Sequence, residues 1–303
     1  MKPIYCLDDR GGWGRALSAE AHARGWQRSV FADLDDILLP SEPLGYAFLR
    51  IDQTAAQQEK DKDLAVVLNS RGFTLIPDID VCLTYEDKLA QAERYAQWMP
   101  KTLVLRDEAS AINAIEYGVF DYPFISKSRT GSASKNVRMI LNKEQALREI
   151  DAAFHAGLSA PHRLGEITQH GYLIWQEFLP GNAYDYRVVV TGTRHMILQR
   201  HNKPGTVFAS GSGINNPVEL TDEVISALAF AELFFSKNNM KWGGIDIVQD
   251  HSVDGPFRKW RVLETTLGWS QSAYAKCKYY GTGLHGADIW KVLCNEIEEG
   301  VFE

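Results

Sequence analysis

The sequence predicts a mixed α/β protein, in which a small parallel-sheet unit precedes a longer region of paired strands. Up to residue 84, short apolar runs alternate with helical patterns, which is typical of parallel strands joined by crossover helices. Beyond residue 170, apolar runs follow one another across short turns, which favours antiparallel pairs. A chain of 303 residues is long enough for one large domain or for two to three smaller ones.

The first 84 residues predict an N-terminal α/β domain. Its strand candidates are "KPIYCL", "QRSVFAD", "YAFLRID" and "FTLIP". Its helix candidates are "RALSAEAHARG", which ends at Gly25, and "QEKDKDLAVVLNSRG". The glycine-rich segment "DDRGGWGR" follows the first strand. It is interpreted either as a plain strand–helix turn or as a loop whose Arg10 or Arg15 contacts a carboxylate substrate.

Residues 85–170 predict a second unit with two helices. The segment "TYEDKLAQAERYAQWM" carries apolar residues at helical spacing. Strands are expected at "KTLVLR" and "YPFISKS". Asn142 followed by Gln145 resembles a capping box and predicts a helix that stops at Gly157.

Residues 171–303 predict a third unit, which is rich in paired strands. The segment "GYLIWQEFLPG" is strand-like, and "YDYRVVVTGTRHMILQRHN" predicts a hairpin that turns at "TGT". Thr221 is expected to cap a long helix. The runs "WGGIDIVQD" and "FRKWRVLETT" predict two neighbouring strands, and "GADIWKVLCNEIEEG" predicts the last helix.

Composition excludes several classes of protein. The net charge of −7 argues against a nucleic-acid-binding surface, because binding to a phosphate backbone needs a basic face. No apolar run is long enough to span a membrane, and no secretory signal is seen, so we expect a cytoplasmic protein. The four cysteines are scattered without a CxxC pair, which predicts reduced thiols.

The segment "PFISKSRTGSASKNV" joins a short apolar strand to a loop of small residues, and it contains two lysines, an arginine and four serines. It is either a basic surface loop or a site for a polyphosphate, whose oxygens backbone N–H groups, hydroxyls and cations can bind. It is not a P-loop, because Lys127 precedes the loop instead of opening a helix. The match "GTGLHG" near the last helix lacks a following βαβ unit and is interpreted as a coincidence.

Four segments in order resemble the ATP-grasp family, particularly its amino-acid and peptide ligase branch. They are "YEDKL", "FISKSRTGSASKNV", "WQEFLPGNAYDYRVVVTG", and "GGIDIVQD" followed by "WRVLETT". The resemblance implies an ATP-grasp fold, with two α+β lobes (residues 85–170 and 171–303) that clamp a nucleotide. The N-terminal domain would then precede the two lobes.

The resemblance also implies roles for individual residues around ATP. Lys88 and Lys127 would contact phosphates, and a mobile lid would contain Ser132 and Ser134. The adenine and ribose contacts would come from Glu177, Phe178, Leu179 and Asp185.

On the metal side, the resemblance implies Asp246 and Glu264 as ligands of Mg2+. Each carboxylate interrupts an apolar strand and would be costly to bury without a cation or another partner. The family pattern E-x-N is replaced here by "ETT", so Thr266 stands where an asparagine would complete the metal shell. Arg187 and Arg200 would be catalytic cations facing the transferred phosphoryl group or the acyl phosphate.

The activity implied by the resemblance is an ATP- and Mg2+-dependent ligation of a carboxylate to an amine, through an acyl phosphate that leaves ADP and phosphate. One or two metal ions are expected, and Mn2+ is an alternative ion. The expected partners are small acid and amine substrates of amino-acid or peptide type. Neither a nucleic acid nor a membrane is expected as a partner, and a homo-oligomer is left open. An ATP-grasp kinase acting on a hydroxyl, or a nucleotide-binding protein without catalysis, remain alternatives.

Overall fold

The computed structural model of the protein describes residues 2–9, 11–32, 44–131, 136–162, 165–255 and 259–303. The predicted mixed α/β architecture is confirmed, with one parallel sheet followed by antiparallel sheets. Among the described helices, none combines the length and the apolar character that a membrane crossing requires. The four cysteines are buried and unbridged.

The N-terminal sheet is parallel, with the strand order β2-β1-β3-β4. Its elements follow the predicted alternation: β1 (Ile4–Leu7), α1 (Trp13–Ala23), β2 (Arg28–Phe31), β3 (Tyr46–Phe48), α2 (Ala55–Ser70) and β4 (Thr74–Ile76). The first helix begins close to β1, because Asp9 accepts hydrogen bonds from the N–H groups of Gly11 and Gly14, both at 2.8 Å. Asp9 therefore satisfies the Gly14 N–H, one of the donors that the start of a helix leaves unpaired.

The middle sheet is antiparallel, with the order β5-β10-β6-β7, and a separate hairpin pairs β8 with β9. The elements are α3 (Ile79–Thr84), α4 (Lys88–Arg94), β5 (Thr102–Leu105), α5 (Glu108–Glu116), β6 (Phe124–Lys127), β7 (Val137–Ile140), α6 (Lys143–Asp151), β8 (Leu158–His162), β9 (Gly165–Gln169) and β10 (Leu173–Glu177). Asn142 caps α6 as predicted, since its Oδ1 accepts from the Gln145 N–H at 3.0 Å.

The helix predicted from "TYEDKLAQAERYAQWM" is shorter than expected. The chain leaves α3 at Thr84, and α4 begins only after Asp87, whose Oδ1 accepts from the Ala90 N–H at 3.0 Å. A capping aspartate at this position fixes the start of the helix. The C-terminal end of the predicted helix is a 3-10 turn, Ala96–Trp98.

The third sheet is antiparallel, with the order β13-β12-β11-β14-β15. The elements are β11 (Tyr184–Thr191), β12 (Arg194–His201), β13 (Asn215–Pro217), α7 (Asp222–Lys237), β14 (Trp242–Gln249), β15 (Trp260–Thr266), α8 (Gln271–Tyr274) and α9 (Ile289–Glu298). The hairpin predicted at "TGT" is present, and its Gly192 has a φ of 64°. Thr221 caps α7 as predicted, accepting from the Val224 N–H at 3.3 Å.

The N-terminal sheet and the third sheet share their hydrophobic cores. One core joins Tyr5 and Leu49 to Val188 and Ile245 of the third sheet. The other core contains a cluster of indole rings, in which Trp13 packs edge-on against Trp242 and Trp290 with ring centroids 6.0 and 5.6 Å apart. The middle sheet has a separate hydrophobic core on one of its two faces. Its opposite face carries residues of the candidate functional site.

The division of the chain at residues 84 and 170 remains a prediction.

Candidate functional site

Two lysines of the middle unit contact β15 of the third sheet. Lys127 is the last residue of β6, and its Nζ donates to the carbonyl oxygen of Leu263 at 3.0 Å. Lys88 is the first residue of α4, and its Nζ lies 3.3 Å from Glu264 Oε1. The structure thus brings both predicted phosphate-binding lysines to the strand that carries a predicted metal ligand.

The two lysines have different electrostatic surroundings. Burial lowers the pKa of Lys127 to about 8, with Lys88 adding to the decrease and Glu264 and Asp246 opposing it. For Lys88, burial also acts to lower the pKa, but the charges of Glu264 and Glu86 outweigh it and raise the pKa above its ordinary value. Lys127 is therefore the lysine whose charge is less well compensated, as expected of a group that would bind an anion.

The described residues at the base of the basic loop are tied to the start of α4. Arg129 donates from Nε and Nη2 to Asp87 Oδ2 at 3.0 and 2.7 Å, and its carbonyl accepts from the Lys88 N–H at 2.7 Å. Lys88 Nζ donates to the carbonyl of Gly131 at 2.6 Å. The loop base and Lys88 are thus held as one unit. Ser132 and Ser134, the predicted lid residues, lie outside the described residues.

A cleft of about 810 Å³, counted to its solvent-open mouth, lies between the middle and third sheets. Its polar wall contains Lys88, Lys127, Asp246 and Glu264. Its apolar wall is formed by Ile125, Val137, Phe178, Leu179, Val207, Phe208, Val248 and Leu263. An apolar slot that opens onto cations suits a flat base joined to an anionic chain.

The three residues predicted to contact adenine line this cleft. The N–H of Glu177 is already used, because it donates to the Lys101 carbonyl at 2.8 Å. The backbone of Phe178 makes no hydrogen bond with any residue that the structure describes. Phe178 therefore has backbone groups available for the edge of a base.

Asp185 also lines the cleft, but its carboxylate is engaged by a neighbouring strand. Arg200 donates to it from Nε and Nη2, both at 2.7 Å, and both side chains are at most 8 % exposed. The register places Asp185 of β11 opposite Arg200 of β12. The structure thus shows Asp185 holding Arg200, a contact that the predicted ribose-binding role did not anticipate.

Asp246 receives hydrogen bonds from both predicted catalytic arginines. Arg187, its register partner on β11, donates at 2.5 and 2.8 Å, and Arg200 Nη2 lies 2.6 Å from Asp246 Oδ2. Burial would raise the pKa of Asp246, but Arg187 and Arg200 outweigh it and hold the pKa well below its usual range. Asp246 is therefore charged and is held rigidly by two guanidinium groups.

Oxygen ligands suited to Mg2+ lie side by side at this edge of the sheet. Asp246 of β14 is paired in register with Glu264 of β15, and Thr266 is paired with Gly244. The Thr266 hydroxyl donates to the Gly268 carbonyl at 2.9 Å, which leaves its lone pairs available to a cation. These donors fit a hard divalent ion that is also bound by phosphate oxygens. The described residues contain no cluster of three or more His, Cys, Asp or Glu side chains placed to hold a metal by themselves.

A second cleft, of about 1120 Å³ to its mouth, adjoins the first and shares Ser210 and Glu264 with it. Its walls are mostly polar or small and include Gln53, Glu86, Arg187, Arg200, Gly211, Gly213, Asn215, Thr266, Ser270 and Tyr274. The sequence prediction missed Glu86, although it lies two residues before Lys88 in "YEDKL". Nothing in the local sequence pattern marks Gln53, which reaches the cleft from the N-terminal unit.

The N-terminal segment "DDRGGWGR" forms the turn between β1 and α1. Arg15 pairs with Asp8, and Asp9 accepts from Arg50 Nη1 at 3.0 Å. Arg10 lies outside the described residues. These contacts favour the strand–helix turn over a substrate role for Arg15.

The sequence matches no protein-family model and no curated protein. Solved structures do match the fold over nearly the whole chain. A RimK domain ATP-grasp protein from Sphaerobacter thermophilus is 18 % identical, with a TM-score of 0.59 and coverage of 98 % of this chain and 99 % of that one. The ATP-grasp ligase PsnB, complexed with a minimal precursor, Mg and ADP, is 15 % identical, with a TM-score of 0.57 and 98 % of both chains covered.

D-cycloserine synthetase DcsG is 14 % identical, with a TM-score of 0.61 and 99 % of both chains covered. Two of these three structures are named as ATP-grasp proteins. Their matches to this chain include the N-terminal unit, the middle sheet and the third sheet. The chain therefore has the ATP-grasp fold that the order of its four segments predicts.

Proposed function

We propose that the protein is an ATP- and Mg2+-dependent ligase that joins a carboxylate to an amine through an acyl phosphate. The observation that carries this proposal is the shared wall of the two clefts. Glu264 borders both, Lys88 and Lys127 border the first, and Arg187 and Arg200 border the second. A nucleotide in the first cleft would thus direct its phosphates toward a substrate in the second.

In this proposal the base of ATP lies against Phe178 and Leu179, while Lys88 and Lys127 bind the phosphates. Asp246 and Glu264, with Thr266, would hold Mg2+, which when bound neutralises phosphate charge. The γ-phosphoryl group passes to a substrate carboxylate and leaves ADP. The amine then attacks the acyl carbon, the C–O bond to phosphate breaks, and the amine loses a proton as the amide forms.

The arginines would stabilise charge on the transferred group without leaving their carboxylates. Arg187 and Arg200 each use Nε and Nη2 in the bonds to Asp185 and Asp246. Their Nη1 atoms donate to no side chain or carbonyl in the described parts of the chain. Guanidinium groups held in this way need little reorganisation when charge develops nearby, which is how fixed dipoles and charges accelerate phosphoryl transfer.

The proposal is tested by incubating the protein with ATP, Mg2+ and a matrix of small carboxylates and amines. ADP, phosphate and amide are measured together. We expect ADP formation to require both substrates for turnover, and Lys127→Ala or Glu264→Ala to reduce it at least 100-fold. Lys143→Ala is the matched control, because Lys143 is exposed and paired with Glu116 away from both clefts. Intact ADP formation in Lys127→Ala would show that the site is wrongly assigned, and a stable phosphorylated product without amine would indicate a kinase.

A further inference from the structure

Glu86 has an unusual backbone conformation beside the second cleft. Its φ is 51°, and the only other non-glycine residue with a positive φ in the described chain is Asn239. Glu86 follows Tyr85, the C-cap of α3, at a position that glycine most often fills. A side chain with a Cβ in this left-handed region costs roughly 1 kcal/mol relative to glycine. Local structure therefore favours glycine here, and it does not account for a glutamate.

The Glu86 carboxylate also differs from the other acidic groups around the site. Asp87 is bonded to Arg129, Asp246 to both arginines, and Glu264 to Lys88. The side chain of Glu86 makes no hydrogen bond and no ion pair to any residue in the described ranges. A partly buried carboxylate without a hydrogen-bond or ion-pair partner loses solvation, which the more distant charges of Lys88, Arg187 and Lys62 replace only in part.

The surroundings of Glu86 favour a cationic ligand. Burial and the charge of Glu264 raise the pKa of Glu86, while Lys88, Arg187 and Lys62 oppose the increase. Lys276 and Lys278 are exposed and are not among the residues that line the second cleft. The arginines on its wall are already bonded to Asp185 and Asp246. A cation that enters the cleft near Glu86 would therefore meet one carboxylate with no protein partner.

We propose that Glu86 is a specificity residue that binds the ammonium group of the amine substrate in the second cleft. The proposal deepens the proposed ligase function and rests on it. An ammonium at Glu86 would be held beside Glu264, the residue that borders both clefts. The amine would thus be bound next to the place where the acyl phosphate forms. Glu86 has this role through binding alone: the bound ammonium releases one proton to solvent water in the open cleft before its nitrogen attacks the acyl carbon. A metal-binding role would give a different result in the test below.

The test measures binding separately from catalysis. The probes are the α-amides of the amino acids with uncharged side chains, which carry an ammonium and no carboxylate, and the same compounds acetylated on the α-nitrogen. Each is added to the full chain with ADP and Mg2+, and the shift in melting temperature is recorded for the wild type, Glu86→Gln and Glu93→Gln. Glu93 is the control, because it lies in the same helix as Lys88 but is exposed and paired with Arg106.

We expect at least one amide to stabilise the wild type and Glu93→Gln, its acetylated form to have no effect, and Glu86→Gln to bind it at least tenfold more weakly. ADP and Mg2+ should stabilise all three proteins equally. The inference is overturned if no amide shifts the wild type, if Glu86→Gln retains the shift, or if Glu86→Gln changes the Mg2+ dependence. Failure of the ligase function is recognised separately, by absence of ADP formation from the wild type in the substrate matrix.

Discussion

Lys127 and Leu263 are joined across the cleft, since the Lys127 ammonium donates to the Leu263 carbonyl at 3.0 Å. This hydrogen bond is the only one to the Lys127 side chain among the described residues, although an ammonium has three donors. The protein therefore keeps a nearly buried cation with most of its hydrogen-bonding capacity unused. Such a group favours ligand binding at the expense of the stability of the free protein.

The first prediction is that Lys127→Met stabilises the nucleotide-free protein. Its folded-state pKa of about 8 lies below the value for an unfolded chain. At a pH between these two pKa values, folding releases a proton from Lys127. Burial of the charged lysine therefore destabilises the folded protein fully below pH 8, and this destabilisation disappears as the pH rises toward 10. We expect a gain of about 1–3 kcal/mol in the free energy of unfolding at pH 7, and a smaller gain at pH 10, by urea denaturation.

Lys143→Met, at an exposed lysine, is the control and should change stability by less than about 0.5 kcal/mol. Equal stability of Lys127→Met and the wild type at pH 7 would mean that the Lys127 charge is better compensated than its contacts indicate.

The second prediction concerns the buried pair of Asp185 and Arg200. Asp185→Asn would remove one charge and leave the guanidinium short of a partner in a dry environment. We expect a loss of about 2–4 kcal/mol in the free energy of unfolding, because breaking a buried ion pair leaves an uncompensated charge. Glu144→Gln breaks the exposed pair with Arg148 and should cost less than about 0.5 kcal/mol. Losses of the same size in the two variants would contradict the prediction.

The third prediction rests on the proposed metal site. Thr266→Asn introduces an amide oxygen, the ligand that the resemblance implies at this position, whereas Thr266→Val removes the hydroxyl. The Mg2+ concentration for half-maximal ADP formation should fall several-fold in the first variant and rise in the second. Changes in the same direction in both variants would indicate that the bond from Thr266 to Gly268 matters for structure and not for the metal.

The sequence predicted those elements that local chemistry specifies. The hairpin at Gly192 and the caps at Asn142 and Thr221 are fixed by a positive φ and by side-chain oxygens, which can be recognised within a few residues. The helix α5 was missed, because its buried face is made of small residues, Ala111 and Ala114, which give a weak periodic pattern. Its cap, Asp107 accepting from the Ser110 N–H at 2.7 Å, was a signal that could have revealed it.

The site was predicted as a set of residue types, but its internal bonding was not. The order of motifs named Lys88, Lys127, Asp246 and Glu264, and these four line one cleft. The attachment of Arg200 to Asp185 depends on which residues face each other across β11 and β12, and a one-residue change in register would separate them. The position of Glu86 depends on packing between distant segments, so local periodicity carries no information about it.

The cluster of Trp13, Trp242 and Trp290 determines which parts of the protein unfold together on heating. The N-terminal sheet and the third sheet bury side chains in shared hydrophobic cores. Unfolding of either sheet would therefore expose the core residues of the other to water. The two should melt together as a single cooperative block, although they are far apart in the chain. The middle sheet, with an interior around Phe124 and Trp175 that belongs to it alone, is free to loosen by itself. The part of the protein that carries Lys127 is thus the part with the most independence to move.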